Sequence, residues 1–145
     1  MSRSGTILLV EDNADDVELT LMAFKESKSA NDIVVVGDGE EALRYLLADS
    51  SSNMAESSPL PEVVLLDLKL PKIDGLQVLR RLRADPRTRR LPVVVLTSSK
   101  EDKDIQMSYD LGANSFVRKP VDFAQFTEAI RQLSSYWLVL NESAS

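Results

Sequence analysis

Short apolar runs alternate along the chain with stretches whose apolar residues recur every three or four positions. Five runs are predicted to be strands, at residues 6–10, 33–36, 63–66, 92–96 and 115–118. The helical spacing predicts five helices, which begin near Asp15, at residue 40, at residue 76, at residue 101 and at residue 123. The third run is apolar at four consecutive positions, which is typical of a strand buried on both faces of a parallel sheet.

The first helix is predicted from a broad apolar stripe that has an acidic first turn. Asp15 and Asp16 would lie near the amino terminus of this helix, where negative charge is favourable. The residues that follow them form a broad apolar stripe at helical spacing, which consists of Val17, Leu19, Leu21, Met22 and Phe24.

The alternation of strands and helices predicts an α/β protein with one doubly wound parallel sheet. Each strand, helix and next strand would form a right-handed crossover, with helices on both faces of the sheet. Residues 49–61 are rich in Ser, Asn and Pro and are predicted to form a flexible surface connection. No repeat or second domain is visible, so residues 1–145 are predicted to be a single domain with a core at about 6–140 and no output domain.

Composition narrows the chemistry that this domain could perform. The sequence contains neither cysteine nor histidine, which excludes thiol and imidazole catalysis, disulfides and the usual zinc ligands. The formal net charge of −6 argues against non-specific binding to nucleic acid or to an anionic membrane surface. No apolar run approaches the ~20 residues of a membrane span, so the cytoplasm is the expected compartment.

Residues 80–90 carry six arginines and could be mistaken for a nucleic-acid site. Cations are common near the carboxyl end of a helix, where they complement the helix dipole. We therefore predict that these arginines form a solvated face.

Polar residues follow the predicted strands at the points where the strands end. Glu11 and Asp12 follow the first strand, Asp67 the third, Thr97 closes the fourth and Lys119 follows the fifth. Because the carboxyl ends of parallel strands meet at one edge of the sheet, these residues are predicted to form one site.

Three carboxylates at this edge would repel one another unless a cation lies among them. One pair ~4 Å apart costs on the order of 4 kcal/mol at an effective dielectric near 20. Lys119 cannot neutralise three acids alone, and an all-oxygen site favours Mg²⁺ over zinc. The sequence therefore predicts a Mg²⁺ site.

The same residues contain the groups needed to accept a phosphoryl group. Asp67 would act as the nucleophile, and its ionised carboxylate needs no general base. The Thr97 hydroxyl and the Lys119 ammonium would stabilise the charge on the phosphoryl oxygens.

This set of residues resembles the receiver domain of two-component response regulators. The resemblance extends over nearly the whole chain and rests on the acidic pair, on Asp67 followed by Pro71 and Gly75, on Thr97, and on Phe116 before Lys119-Pro120. It implies a flavodoxin-like (βα)5 fold with strand order 2-1-3-4-5. It also implies that a phosphohistidine of a sensor histidine kinase phosphorylates Asp67.

The resemblance also assigns roles to individual residues. It implies that Glu11, Asp12, Asp67 and the backbone carbonyl of Lys69 hold Mg²⁺. Thr97 and Lys119 would contact the phosphoryl group. As Thr97 moves toward that group, Phe116 would turn inward and alter the face formed by the fourth helix, the fifth strand and the last helix.

Further features resemble the small stand-alone regulators that are paired with bacterial phytochromes of the cyanobacterial type. They are the serine-rich insertion before the third strand, the segment from Leu96 to Tyr109, and the tail Tyr136-Trp137-Leu138. The implied partner kinase is a phytochrome, and the implied stimulus is light. Two positions depart from the common pattern: Glu11 replaces an aspartate, and Lys69 could place its ammonium near the phosphoryl group and change its lifetime.

The last helix, Phe123 to Leu140, is predicted to form a homodimer. An apolar stripe at three- and four-residue spacing would serve the domain's own core, and it consists of Phe126, Ile130, Leu133 and Trp137. Phe123, Tyr136 and Leu138 lie partly off this stripe and indicate a second apolar surface, which suits an isologous dimer.

Three other functions compete with this interpretation. A flavodoxin-like cofactor module would need a phosphate-binding loop after the first strand, where this chain is acidic. A phosphohydrolase with an aspartate nucleophile would need a further acid or base near Asp67, and the residue two positions later is Lys69. A receiver-like interaction module that no longer switches is the third.

Overall fold

The computed structural model describes residues 6–26, 32–47, 60–97, 102–118, 127–128 and 131–132. Its strands and helices alternate along the chain, as predicted. They are β1 (Ile7–Val10), α1 (Ala14–Glu26), β2 (Ile33–Val36), α2 (Gly39–Leu46), β3 (Val63–Leu66), α3 (Gly75–Ala84), β4 (Val93–Thr97), α4 (Asp102–Asp110) and β5 (Ser115–Arg118). The helix predicted to begin at residue 40 begins one residue earlier, at Gly39, and stops at Leu46 with Leu47 as its C-cap.

The five strands form one sheet in the order β2-β1-β3-β4-β5, and every neighbouring pair is parallel. This confirms the predicted doubly wound, flavodoxin-like fold and its strand order 2-1-3-4-5. β2 lies on one side of β1, and β3 and the later strands lie on the other side. The carboxyl ends of β1 and β3 therefore flank the point where the strand order reverses, which is where open α/β sheets bind ligands.

Alternate residues of the central strands face two separate buried clusters. Leu8 and Val10 of β1 belong to a cluster that includes side chains of α2 and α3. Ile7 and Leu9 belong to a second cluster that includes side chains of α1. Every residue of β1 and β3 is buried, which confirms that both strands are covered on both faces.

The buried face of α1 is narrower than its apolar stripe. Thr20, Ala23 and Phe24 are buried, whereas Leu21 and Met22 are exposed. Each residue advances by about 100° around an α-helix, so residues that follow Thr20 directly turn away from the face that packs on the sheet. Leu21 and Met22 belong to the predicted apolar stripe, but they face away from the sheet.

Arg83 is an exception to the prediction that the arginines of residues 80–90 form a solvated face. Its guanidinium is only partly exposed and donates hydrogen bonds to backbone carbonyls, including those of Leu91 at 2.7 Å and Gly112 at 2.6 Å. Burial lowers the pKa of Arg83 below its usual value because removal from water disfavours the charged form. The side chains of the five other arginines of residues 80–90 are exposed, as predicted.

Two predicted segments fall largely outside the described residues. Of the connection at residues 49–61, only Leu60 and Pro61 are described, and of the helix from Phe123 to Leu140, only residues 127–128 and 131–132, which are helical. The apolar surface that was predicted to form a dimer lies outside them. Among the described helices, none combines the length and apolar character needed to cross a membrane.

Candidate metal centre

The sheet brings three carboxylates together at the ends of its two central strands. Backbone pairing continues one residue beyond the strands, since the Glu11 amide donates to the Val36 carbonyl at 3.0 Å and the Asp67 amide donates to the Val10 carbonyl at 3.1 Å. One carboxylate oxygen from each of Glu11, Asp12 and Asp67 lies within 4.8 Å of the others. This is the acidic site that the strand ends predicted.

The three acids differ in their exposure to solvent. Glu11 is 3% exposed and Asp67 is 7% exposed, whereas Asp12 is open to solvent. The Glu11 carboxylate accepts a hydrogen bond from the Asn13 amide at 3.2 Å, and Asp67 Oδ1 accepts one from the Lys69 amide at 3.3 Å. The site therefore holds two buried carboxylates beside one that faces water.

This donor set fits a hard divalent cation. All three candidate ligands are carboxylate oxygens, and the whole sequence lacks the histidine and cysteine that softer metals prefer. Mg²⁺ takes one or two carboxylates and keeps several waters. The solvent-facing side of Asp12 leaves room for such waters, so the residues present fit Mg²⁺.

A glycine holds the loop after β3 close to Asp67. The Gly75 amide donates to the Leu68 carbonyl at 2.9 Å, which folds residues 68–75 into a compact turn. A Cβ atom at Gly75 would lie less than 3.0 Å from the Asp67 carbonyl oxygen. The Asp74 side chain caps α3 by accepting a hydrogen bond from the Gln77 amide at 3.0 Å. The glycine and the cap together set the path of the chain as it leaves Asp67.

The β3–α3 loop also contacts the start of α2, and sequence reasoning missed this contact. Lys72 Nζ lies 3.6 Å from both Asp38 Oδ2 and Glu40 Oε1, and Lys72 has a φ of 69°. A Cβ atom at Gly39 would clash with the Ile73 carbonyl oxygen. The glycine itself is the signal in the sequence for this contact, because glycine is the residue type that permits such a close backbone approach.

Asp38 caps α2 next to this contact. Its side chain accepts a hydrogen bond from the Glu41 amide at 2.7 Å. That bond is the main reason why the pKa of Asp38 lies below its usual value of 3.8, and the charge of Lys72 lowers the pKa further, against a raising effect of desolvation. The carboxylate is therefore the form that the fold favours.

The remaining predicted site residues lie on or beyond the two following strands. Thr97 is the last residue of β4 and pairs with Arg118, and Phe116 pairs with Val95. The backbone of β4 beside β3 puts Thr97 at the same sheet edge as Asp67. The side chains of Thr97 and Phe116 and the whole of Lys119 lie outside the described atoms, so their roles stay predictions, as does the Lys69 carbonyl as a ligand.

The sequence matches a known family over most of its length. The family described as "Response regulator receiver domain" matches residues 7–131. Among curated proteins, "Probable methanogenesis regulatory protein FilR2" of Methanothrix harundinacea is 39% identical over 94% of this chain and 86% of its own length. "Response regulator Rcp1" of Synechocystis sp. is 36% identical over 91% of this chain and 88% of its own length.

Solved structures of similar size have the same fold. The phosphorylated cyanobacterial phytochrome response regulator RcpA superposes with a TM-score of 0.84, is 36% identical, and the match covers 99% of this chain and all of that one. The bacteriophytochrome response regulator AtBRR is 51% identical with a TM-score of 0.72, and the match covers 97% of this chain and 100% of that one. The Mn²⁺-bound form of Rcp1 gives a TM-score of 0.82 at 33% identity and covers 97% of this chain and 99% of that one.

Proposed function

Because the chain belongs to the response regulator receiver domain family, we propose that Asp67 accepts a phosphoryl group from a phosphohistidine of a sensor histidine kinase. The observation that supports this most is the position of Asp67. It is a buried carboxylate at the carboxyl end of a central strand, within 4.8 Å of carboxylate oxygens of Glu11 and Asp12. Receiver domains bind Mg²⁺ or Mn²⁺ at such an acidic pocket, and the three acids are the proposed ligands here.

The proposed reaction transfers one phosphoryl group. An oxygen of the Asp67 carboxylate attacks phosphorus, the bond between phosphorus and the histidine nitrogen breaks, and the departing imidazole takes up a proton. Bound Mg²⁺ would neutralise charge on the phosphoryl oxygens. The Thr97 hydroxyl and the Lys119 ammonium donate hydrogen bonds to those oxygens, and the Asn13 and Lys69 amides hold Glu11 and Asp67 in place.

In this proposal, the chain is a signalling protein of the receiver family that transfers the phosphoryl group from a donor to its own Asp67. It then slowly hydrolyses the aspartyl phosphate. In the hydrolysis, water would attack phosphorus and the bond between phosphorus and the Asp67 oxygen would break, which regenerates the Asp67 carboxylate and releases inorganic phosphate. A small-molecule phosphohydrolase would instead turn over many molecules of a phosphate ester. Repeated turnover of an ester without a stable phosphorylated protein would favour the phosphohydrolase.

The phosphoacceptor role is tested by intact mass after incubation with a small phosphodonor such as acetyl phosphate. We expect one phosphoryl group on the wild type in the presence of Mg²⁺, and none after EDTA treatment or in Asp67→Asn. Asp12→Asn should need more Mg²⁺, whereas Asp15→Asn, an exposed acid in α1, should behave as wild type. A folded wild type that gains no phosphoryl group would indicate a receiver-like module that does not switch.

The proposed partner is a phytochrome histidine kinase. The descriptions of two similar solved structures support this, since RcpA is described as a cyanobacterial phytochrome response regulator and AtBRR as a bacteriophytochrome response regulator. A radiolabelled phytochrome kinase should transfer its phosphoryl group to the wild type at least about tenfold faster than an unrelated histidine kinase does. Equal rates would contradict the pairing.

We also propose that the output is a protein contact in a homodimer. The support is the second apolar surface predicted for the helix Phe123–Leu140. The proposed compartment is the cytoplasm, and we propose no direct binding to nucleic acid or membrane. Light scattering at micromolar concentration should give the mass of a dimer. A monomer both with and without a phosphoryl mimic would contradict this proposal.

A further inference from the structure

Arg83 connects the end of α3 to two loops that lie far from it in the sequence. Its Nη1 atom donates to three carbonyls of the α3–β4 connection, and its Nε and Nη2 atoms donate to the α4–β5 loop. The acceptors are the carbonyls of Thr88 at 3.2 Å, Arg89 at 3.1 Å and Leu91 at 2.7 Å, the carbonyl of Gly112 at 3.2 and 2.6 Å, and Asn114 Oδ1 at 3.2 Å. A lysine could not span these acceptors, because it lacks the planar fork.

The Gly112 carbonyl belongs to the turn that ends α4. The Ala113 amide donates to the Ser108 carbonyl at 2.8 Å and the Gly112 amide donates to the Tyr109 carbonyl at 3.0 Å. This pattern, with Gly112 at a φ of 96°, is a Schellman motif. Arg83 thus holds the residue on which the helix terminates, and Asn114 Oδ1 also accepts the Val93 amide at 2.9 Å, which ties the turn to β4.

Few of the described side chains of α4 are buried. Of its side chains at residues 104–110, only Ser108 is buried, and its hydroxyl donates to the Asp104 carbonyl of the same helix. Met107 is 39% exposed and Tyr109 is 48% exposed. The hydrogen bonds of Arg83 therefore add polar contacts at the carboxyl end of a helix of which few described side chains are buried.

The two ends of α4 lie at opposite edges of the sheet. Its amino end follows β4, whose carboxyl end lies at the edge of Asp67, and its carboxyl end leads into β5 at the other edge. A helix of 9 residues is about 13 Å long. A rotation of about 10° around a fixed carboxyl end would move the amino end by about 2 Å, which is typical of helix shifts in switching proteins.

We propose that Arg83 is a positioning residue that fixes the carboxyl end of α4, so that phosphorylation of Asp67 moves the amino end of this helix around that point. The inference rests on the proposed phosphoacceptor function, which it extends. It assigns Arg83, which is remote from the acidic site, a role in transmitting the effect of phosphorylation to the face formed by α4, β5 and the last helix.

Measurements on the wild type test whether the amino end of α4 moves while its carboxyl end stays fixed. Amide-resolved NMR would be recorded with Mg²⁺, before and after addition of beryllium trifluoride as a phosphoryl mimic. We expect shifts and hydrogen exchange to change at residues 102–106 and to stay nearly constant at residues 111–114. Equal changes in both groups would overturn the proposal.

The variant Arg83→Lys tests whether the hydrogen bonds of Arg83 fix the carboxyl end of α4, because lysine keeps the positive charge and most of the aliphatic stem. Exchange of the Leu111, Gly112 and Ala113 amides should accelerate about tenfold or more relative to β1 and β3, and the effect of beryllium trifluoride should extend to residues 111–114. Arg81→Lys is the matched control, since Arg81 is an exposed arginine of the same helix. Exchange in Arg83→Lys that matches this control, or that accelerates equally in β1 and β3, would overturn the proposal.

Failure of the proposed function would be seen separately. If acetyl phosphate adds no phosphoryl group to the wild type, the phosphoacceptor role is wrong and so is the switching role of Arg83. If Asp67 is phosphorylated equally in wild type and Arg83→Lys while the exchange pattern is unchanged, only the positioning role is wrong.

Discussion

Replacing Asp67 by asparagine should stabilise the metal-free protein while it abolishes the proposed function. Asparagine has nearly the shape of aspartate and can still accept the hydrogen bond from the Lys69 amide, but it carries no charge. At the largest separation of 4.8 Å, a carboxylate pair in this cluster repels by about 0.9 kcal/mol at the dielectric constant of water and about 3.5 kcal/mol at an effective dielectric of 20. Asp67 has two such neighbours, Glu11 and Asp12.

Other interactions reduce the expected gain. The Glu11 carboxylate accepts a hydrogen bond from the Asn13 amide and Asp67 accepts one from the Lys69 amide, which offsets part of the repulsion, and Asp12 is open to water, which screens its charge. We therefore expect Asp67→Asn to raise the free energy of unfolding by about 1–3 kcal/mol at pH 7 in EDTA. Urea unfolding followed by far-ultraviolet circular dichroism measures this difference.

Mg²⁺ should reverse the order of the two proteins. A ligand that binds only the folded state stabilises it by about 2.7 kcal/mol at one hundred times its dissociation constant, and Asp67→Asn loses a proposed ligand. Asp15→Asn is the control, because an acid in the first turn of α1 is favourable there and its removal should cost a few tenths of a kcal/mol. The reasoning is refuted if Asp67→Asn is no more stable than wild type in EDTA, or if Mg²⁺ stabilises both equally.

Three further predictions concern the loops around the site. Gly75→Ala should lower the free energy of unfolding by about 1–3 kcal/mol, whereas Gly37→Ala, whose Cβ would meet nothing within 4 Å, should cost far less; equal losses in urea unfolding would contradict the close approach to Asp67. Lys72→Gly should be about 1 kcal/mol more stable than Lys72→Ala, because both lose the ion pairs but only alanine keeps the strain at a φ of 69°; the opposite order would show that this strain is absent. Because the pKa of Asp38 is lowered in the folded state, its stabilising effect is present above its unfolded pKa and is lost as the pH falls through the folded one. The stability difference between wild type and Asp38→Ala should therefore shrink below about pH 4, and a constant difference would contradict the assignment.

The fold and the acidic site were predictable because their signals are local in sequence. Four apolar residues in succession at Val63–Leu66 favour burial on both faces, as in a parallel sheet that is covered by helices on both sides. The parallel arrangement then brings Glu11, Asp12 and Asp67 together, whatever the detailed packing is.

The features that were missed depend on contacts between distant segments. The acceptors of Arg83 in the α4–β5 loop lie 29 and 31 residues away along the chain, and nothing in the run of arginines distinguishes the one that is partly buried. The approach of Gly39 to Ile73 likewise joins two loops. On α1, the spacing of the apolar residues could not show how much of the helix surface the sheet covers. Leu21 and Met22 lie outside the covered face.

The central claim is that Asp67 is the residue that receives the phosphoryl group, and the most direct test locates that group chemically. The wild type would be phosphorylated with acetyl phosphate and Mg²⁺ and then treated with borohydride, which reduces an aspartyl phosphate to homoserine and leaves free carboxylates unchanged. Peptide mapping by mass spectrometry should find homoserine at position 67 alone. Homoserine at Asp12 or at another acid, or its absence from a protein that has gained a phosphoryl group, would contradict the account.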